Sequence, residues 1–268
     1  MMKQERNKIQ IRDDLKIVFE KTVNLRDKYI ALGFHGLGGI GHLTTRFLVE
    51  SAVEQGIGER VGYVIGRIIP PFVEVLEDGK IGFPYELYMV ENVLFLFIRI
   101  QPWLDDQPIL ADIFTKLAAD NGVKSFVLFG GVDVNVFPED RKELPIVFVG
   151  NDIFIKNVNE ILPNFEIEVA PKGILVSGGI SLFLEFSTYR NLPAVALFSP
   201  TSKGILDKKG AYNLAQKFIE LTGLPISLKR IKKEIEMTQM LLKQIQETPP
   251  IEMPEKKGED EEPSHVFT

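Results

Sequence analysis

This sequence predicts an α/β fold, on three observations. Short runs rich in β-branched and aromatic residues alternate with amphipathic helical segments. Glycines punctuate the junctions, at Gly33 to Gly41, Gly130-Gly131 and Gly178-Gly179. Apolar residues make up 45% of the 268, enough for one sizeable core.

Taken in order, KIVF at 16–19 and YIALGF at 29–34 read as strands. The glycine-rich stretch that follows opens an amphipathic helix over 38–55. Strands are expected again at 61–65 and 73–76, and the Asp78-Gly79 pair within Glu77-Asp78-Gly79-Lys80 suits a hairpin turn. The apolar run at 93–100 is the next strand, followed by a helix over 106–121 that Asp105 and Asp106 would cap. Strands at 125–129, 146–149 and 194–198 and helices at 181–190, 208–222 and 227–247 complete the pattern. Gly223 and Pro225 separate the last two helices as a C-cap and a restart. In the last helix Leu228, Ile231, Ile235, Thr238, Leu242 and Ile245 follow alternating three- and four-residue steps. That seam can pack on the parent domain or on another helix.

The division expected is an N-terminal extension (1–14), a single α/β domain ending in a long amphipathic helix (15–247), and a flexible tail (248–268). From Glu247 the chain reads ETPPIEMPEKKGEDEEPSHVFT, with seven acids, two lysines and four prolines. That stretch carries −5 of the net −6, leaving a body too nearly neutral to offer a nucleic-acid footprint. Its composition cannot bury enough apolar surface to offset ordering entropy, so disorder is expected, with an r.m.s. reach of roughly 25 Å. Yet it ends in Val266, Phe267 and Thr268, two apolar side chains beside a carboxylate. This is the chemistry of a tethered ligand for a pocket on another molecule. The plain alternative is an inert solubilising tail.

Absent cysteine removes disulfides and thiolate chemistry. The polar N-terminus lacks a signal peptide's apolar core, and no apolar run is long enough to span a membrane, so a cytoplasmic protein is expected. His35 and His42 stand seven apart across a turn, which is not the spacing of a helical metal pair, so no metal site is expected. Gly36, Gly38 and Gly41 satisfy the dinucleotide fingerprint GxGxxG between a strand and a helix. A cofactor site would need an acid closing the next strand, which here ends in Gly66-Arg67. Arg67 could meet a 2′-phosphate; otherwise the glycines serve a tight turn. The three glycine groups could line one cleft or be ordinary connections. No catalytic set stands out and no cofactor is expected.

The turn Gly33-Phe34-His35-Gly36-Leu37-Gly38 resembles that of the proteasome assembly chaperone family in its archaeal branch, with His35 in place of a proline. The likeness continues through Ile69-Pro70-Pro71-Phe72, Asp78-Gly79, 93–101, Phe129-Gly130-Gly131, Gly178-Gly179 and 194–222. The resemblance implies a three-layer α/β/α sandwich with a mixed central sheet, nucleoside-phosphorylase-like in architecture and without known catalysis. It also implies a hydrophobic–aromatic–any motif that enters pockets between α subunits of the 20S proteasome ring without ATP. Val266 and Phe267 fit that motif, with phenylalanine where tyrosine is usual, and Thr268 supplies the carboxylate. Because one such tail binds weakly, several on a homo-oligomer, with or without a paralogous chain, are expected to act together. The other readings are a nucleotide- or nucleoside-binding enzyme using the glycine turn, and a scaffold whose tail only prevents aggregation.

Overall fold

Four parallel strands with both faces buried form the centre of the sheet. The computed structural model describes residues 8–12 and 15–247, apart from 68, 77, 78, 142, 164, 203 and 205. The central strands are β3 (Tyr29–Gly33), β8 (Val93–Ile98), β9 (Ser125–Asp133) and β12 (Ala194–Thr201), adjacent in the order β8-β3-β9-β12. Their side chains alternate between two cores, as the period of two requires. Ile30, Leu94, Leu96, Phe126 and Leu128 face one; Ala31, Phe95, Phe97, Val127 and Phe129 face the other. Strands covered on both faces read as continuous apolar runs, which is why these four were legible.

The sheet extends on both sides to ten strands. Beyond β8 lie β7 (Tyr85–Val90), β4 (Gly58–Gly66), β2 (Leu15–Phe19) and β1 (Lys8–Arg12), each antiparallel to its neighbour. Beyond β12 lie β10 (Val147–Gly150), antiparallel, and the two-residue β11 (Glu168–Val169). A separate hairpin joins β5 (Glu74–Val75) to β6 (Ile81–Gly82). Glu77 and Asp78 of its turn lie outside the described residues.

Helices cover both faces, giving the three-layer mixed α/β/α sandwich that was expected. On one side α1 (Ile40–Glu54) packs beside α6 (Lys208–Thr222), and on the other α2 (Gln107–Asn121) packs beside α5 (Gly179–Tyr189). Short helices α3 (Asp152–Lys156) and α4 (Val158–Ile161) follow β10. The final helix is α7 (Lys229–Glu247). Leu228, Ile231 and Ile235 of the seam are buried on the parent core, whereas Met237, Thr238, Met240 and Leu241 are exposed. The first half of the seam therefore packs on the body, and the helix then leaves it.

The structure departs from the sequence reading at definite places. Strand β7 is absent from that reading because Glu86 interrupts its apolar pattern, although Glu86 is fully buried. Strand β1 arises within the stretch read as an extension. Gly130 and Gly131 do not end β9: pairing with β12 continues to Asp133 opposite Thr201. Asp105 and Asp106 belong to a 3-10 turn, Leu104–Asp106, ahead of α2. Asp106 there has helical φ and ψ, so its carboxylate does not cap the helix.

The turn after β3 is set by contact between backbones. A β-carbon on Gly33 would stand 2.1 Å from the Gly41 carbonyl oxygen, and one on Gly41 would stand 2.3 Å from that of Phe129. By contrast, a β-carbon on Gly36 meets nothing within 4 Å, at an ordinary φ of −89°. Urea unfolding should therefore separate the two glycines. Gly41→Ala is expected to lose about 3 kcal/mol or more, whereas Gly36→Ala should stay within about 0.5 kcal/mol of the parent.

Candidate functional site

A cleft of about 800 Å³ opens at the carboxyl ends of β3, β9 and β12. Phe34 and Gly36 leave β3, Gly130 to Asp133 finish β9, and Ser177 to Ile180 lead into α5. The three glycine groups that the sequence singled out thus meet at one site. Gly131 is required where it stands, since its β-carbon would lie 2.4 Å from the Leu37 carbonyl oxygen. Gln101 and Gln107 close the wall on the α2 side, and Lys172 stands on the 170–178 connection. Asp133, also on the lining, accepts hydrogen bonds from the Asn135 amide at 3.0 Å and its side chain at 2.9 Å.

Beside the cleft, His35 and His42 stack with ring centroids 3.8 Å apart, and His42 stacks on Phe97. His42 Nδ1 lies 2.9 Å from the Ile98 carbonyl oxygen, and the His35 backbone N–H donates to Gln101 Oε1 at 2.9 Å. Burial, then the neighbouring His35 and the charges of Arg46 and Arg99, push His42 down to about 4. Burial likewise lowers His35, partly offset by its bonds to Gln101 and the Arg99 backbone. Two stacked imidazoles flanked by arginines are held neutral, a proton-poor pair and not a charged site.

Arg99 links this pair to a buried ion network. Glu86 accepts from Arg99 Nε and Nη2 at 2.9 and 2.8 Å, from Arg60 at 3.1 Å, from the Tyr88 hydroxyl at 2.9 Å and from the Phe83 N–H at 3.2 Å. Arg99 also pairs with Glu74 and lies over the Phe97 ring at 4.5 Å. Such a dense set of donors is what makes a fully buried carboxylate tolerable. Neither glutamate nor arginines were legible as a cluster, because they come from β4, β5, β7 and the end of β8.

Comparison with known proteins places this architecture. The PAC2 family model matches residues 30–246. The chain belongs to the PAC2 family. A PAC2 fold is also what the solved structures return. Pyrococcus furiosus PbaA, described as an archaeal homolog of proteasome-assembly chaperone, superposes with a TM-score of 0.72 at 19% identity, over 87% of this chain and 92% of its own. Pyrococcus furiosus PbaB, described as an archaeal proteasome activator, gives a TM-score of 0.70 at 17% identity, over 88% and 100%. An uncharacterized protein of Methanocaldococcus jannaschii is 24% identical over 236 residues, spanning 86% of this chain and 89% of its own.

Within this PAC2 fold, the sequence-derived site residues separate. Val266, Phe267 and Thr268 lie outside the described residues. Gly36, Gly38 and Gly41 share the turn, but the N–H groups of Gly36, Gly39, Ile40 and His42 are taken by the carbonyls of Phe34, Gly36, Leu37 and Phe34. A pyrophosphate cradle needs such groups free. Arg67 follows β4, which β7 and β8 separate from β3, a lateral offset of about 14 Å. The turn and Arg67 are therefore not brought together. Among the described residues no group of three or more His, Cys, Asp or Glu could hold a metal ion, and no helix is long and apolar enough to cross a membrane.

The histidine pair generates a pH dependence. Both are neutral when folded, whereas in the unfolded chain they take protons from about pH 6.5 downward. Between pH 6.5 and about 4 the unfolded state therefore binds more protons, and stability falls as pH falls. Denaturation at pH 7 and pH 4.5 should show a loss of roughly 2–3 kcal/mol from His42. His42→Asn, which keeps a donor near the position of Nδ1, should flatten that loss.

Proposed function

We propose that this PAC2-family chain is a proteasome assembly chaperone-like or adaptor protein that docks on the 20S proteasome α ring through its C-terminal tail. Val266 and Phe267 would enter a pocket between α subunits, and the Thr268 carboxylate would pair with a basic group there. The process needs no nucleotide, since it draws only on apolar burial and one ion pair. The observation that carries the reading is the chemistry of the tail: acidic and proline-rich, then an aliphatic residue, an aromatic residue and a carboxylate. Family membership supports it, as do the descriptions of PbaA as an archaeal homolog of proteasome-assembly chaperone and of PbaB as an archaeal proteasome activator.

The described body suits a carrier of such a tail. α7 is anchored at Leu228, Ile231 and Ile235, and then continues for about 18 Å to Glu247. A tail starting there would be held away from the body. Exposed Met237, Met240 and Leu241 on that projecting helix, spaced at three and four, offer an apolar stripe for a second copy or a paralogous chain. A homo-oligomer would present several tails to one ring, where effective concentration turns weak single contacts into stable capture. A cytoplasmic setting follows from such a partner.

Surface plasmon resonance against immobilised 20S proteasome tests the reading with three proteins. The full chain should bind. Deletion of residues 266–268, and separately Phe267→Ala, should weaken binding at least about tenfold. Equal binding by all three would reject the tail anchor.

A further inference from the structure

The cleft at the carboxyl ends of β3, β9 and β12 has no part in tail docking, yet it is built as a site. Crossovers leave this end of the sheet toward opposite faces: α1 follows β3 on one side, while α2 and α5 lie on the other. Crevices of that kind are where open α/β sheets hold ligands. We propose that this cleft binds a small organic acid carrying an amino or hydroxyl donor beside its acid group and an apolar remainder.

The acid group is assigned to the start of α5. Gly178 adopts φ 69° and ψ −150°, and no side chain caps the helix. Gly178 stands at the capping position with no side chain to offer, and the Ser181 hydroxyl donates to the Gly178 carbonyl at 2.8 Å. The first-turn N–H groups of Gly179, Ile180 and Ser181 have no carbonyl within the helix to meet, and they sit where positive dipole charge concentrates. Lys172 on the same lining adds a cation.

The donor is assigned to Gln107. This side chain is 2% exposed, and its Nε2 donates to the Pro102 carbonyl at 3.2 Å. That bond turns Oε1 the other way, and Oε1 has no hydrogen-bond partner among the described residues. It lies 3.6 Å from where a β-carbon on Gly178 would stand, beside the uncapped end of α5. A buried amide oxygen without a donor carries a substantial cost, so its retention at a cleft wall calls for an explanation. A ligand N–H or O–H supplies one. Since Gln107 Oε1 stands beside Gly178, where α5 begins, the donor is placed close to the acid group. The remainder meets an apolar wall that includes Phe34, Leu37, Ile174 and Phe198, in a space of drug-molecule size.

Isothermal titration of the full chain with phenylalanine, phenyllactate, 3-phenylpropanoate, phenyl phosphate and inorganic phosphate tests this. The first two carry the donor, the third lacks it, and the phosphates distinguish which acid group the site takes. Phenylalanine or phenyllactate should bind at least about tenfold more tightly than 3-phenylpropanoate. Tighter binding of phenyl phosphate than of 3-phenylpropanoate would support the site and name phosphate as its acid group. Gly36→Phe should abolish binding with an unchanged thermal midpoint, because its side chain grows into open cleft space. Gln107→Leu should erase the donor preference with the midpoint close to the parent's, since it removes the unpartnered oxygen together with the Nε2 bond to Pro102. No heat from any probe at millimolar concentration would overturn the proposal. So would binding that survives Gly36→Phe, or a Gln107→Leu protein that still prefers the donor acids.

Discussion

The close passage of three backbones at the end of β3 is the constraint on which this molecule depends. Gly33, Gly41 and the Phe129 carbonyl lie within a space where no β-carbon fits. This lets α1 begin directly over the sheet, where it packs on β3, β8 and β9. Gly131 repeats the arrangement one strand over, with the Leu37 carbonyl in the place a side chain would take. Side-chain packing could be redistributed among the many phenylalanines of the two cores. A backbone contact of this kind cannot, because only glycine at those positions admits it.

A second constraint lies in the antiparallel half. Glu86 is fully buried yet receives two guanidinium groups, a phenol and a backbone N–H. Removing one partner would leave an uncompensated charge, so the cluster ties β4, β7 and β8 and, through Arg99 and Glu74, the β5–β6 hairpin. The stacked histidines sit against this network and against Phe97. Burial is the main cause of their neutrality, and for His42 the neighbouring His35 and then the charges of Arg46 and Arg99 add to it.

Body and tail follow different physics. The body is a PAC2 fold with a formed cleft, held by apolar burial on both faces of the sheet. The tail's proposed role rests on composition: it is acidic and proline-rich, with Val266 and Phe267 beside its end. α7 joins the two regimes: Leu228, Ile231 and Ile235 of its seam are buried, and Thr238 is exposed.

Much was readable without coordinates, and the reason is local. Continuous apolar runs gave β3, β8, β9 and β12, helical periodicity gave α1, α2, α5, α6 and α7, and the turn glycines gave the family likeness. What escaped was non-local. β7 was hidden because Glu86 looks like a surface residue until Arg60 and Arg99 arrive from other strands. Gly130-Gly131 looked like a strand end until β12 paired alongside. Gln107 carries no signal in the sequence, since only the fold brings its Oε1 beside Gly178. The sequence by itself determined the alternation of strands and helices, the chemistry of the tail and the glycines of the turn, since each depends on residues adjacent in the chain. Only the tertiary structure decided which charges are buried together, that the glycine groups line one cleft, and that Arg67 stands apart from the turn, because strand order sets those distances.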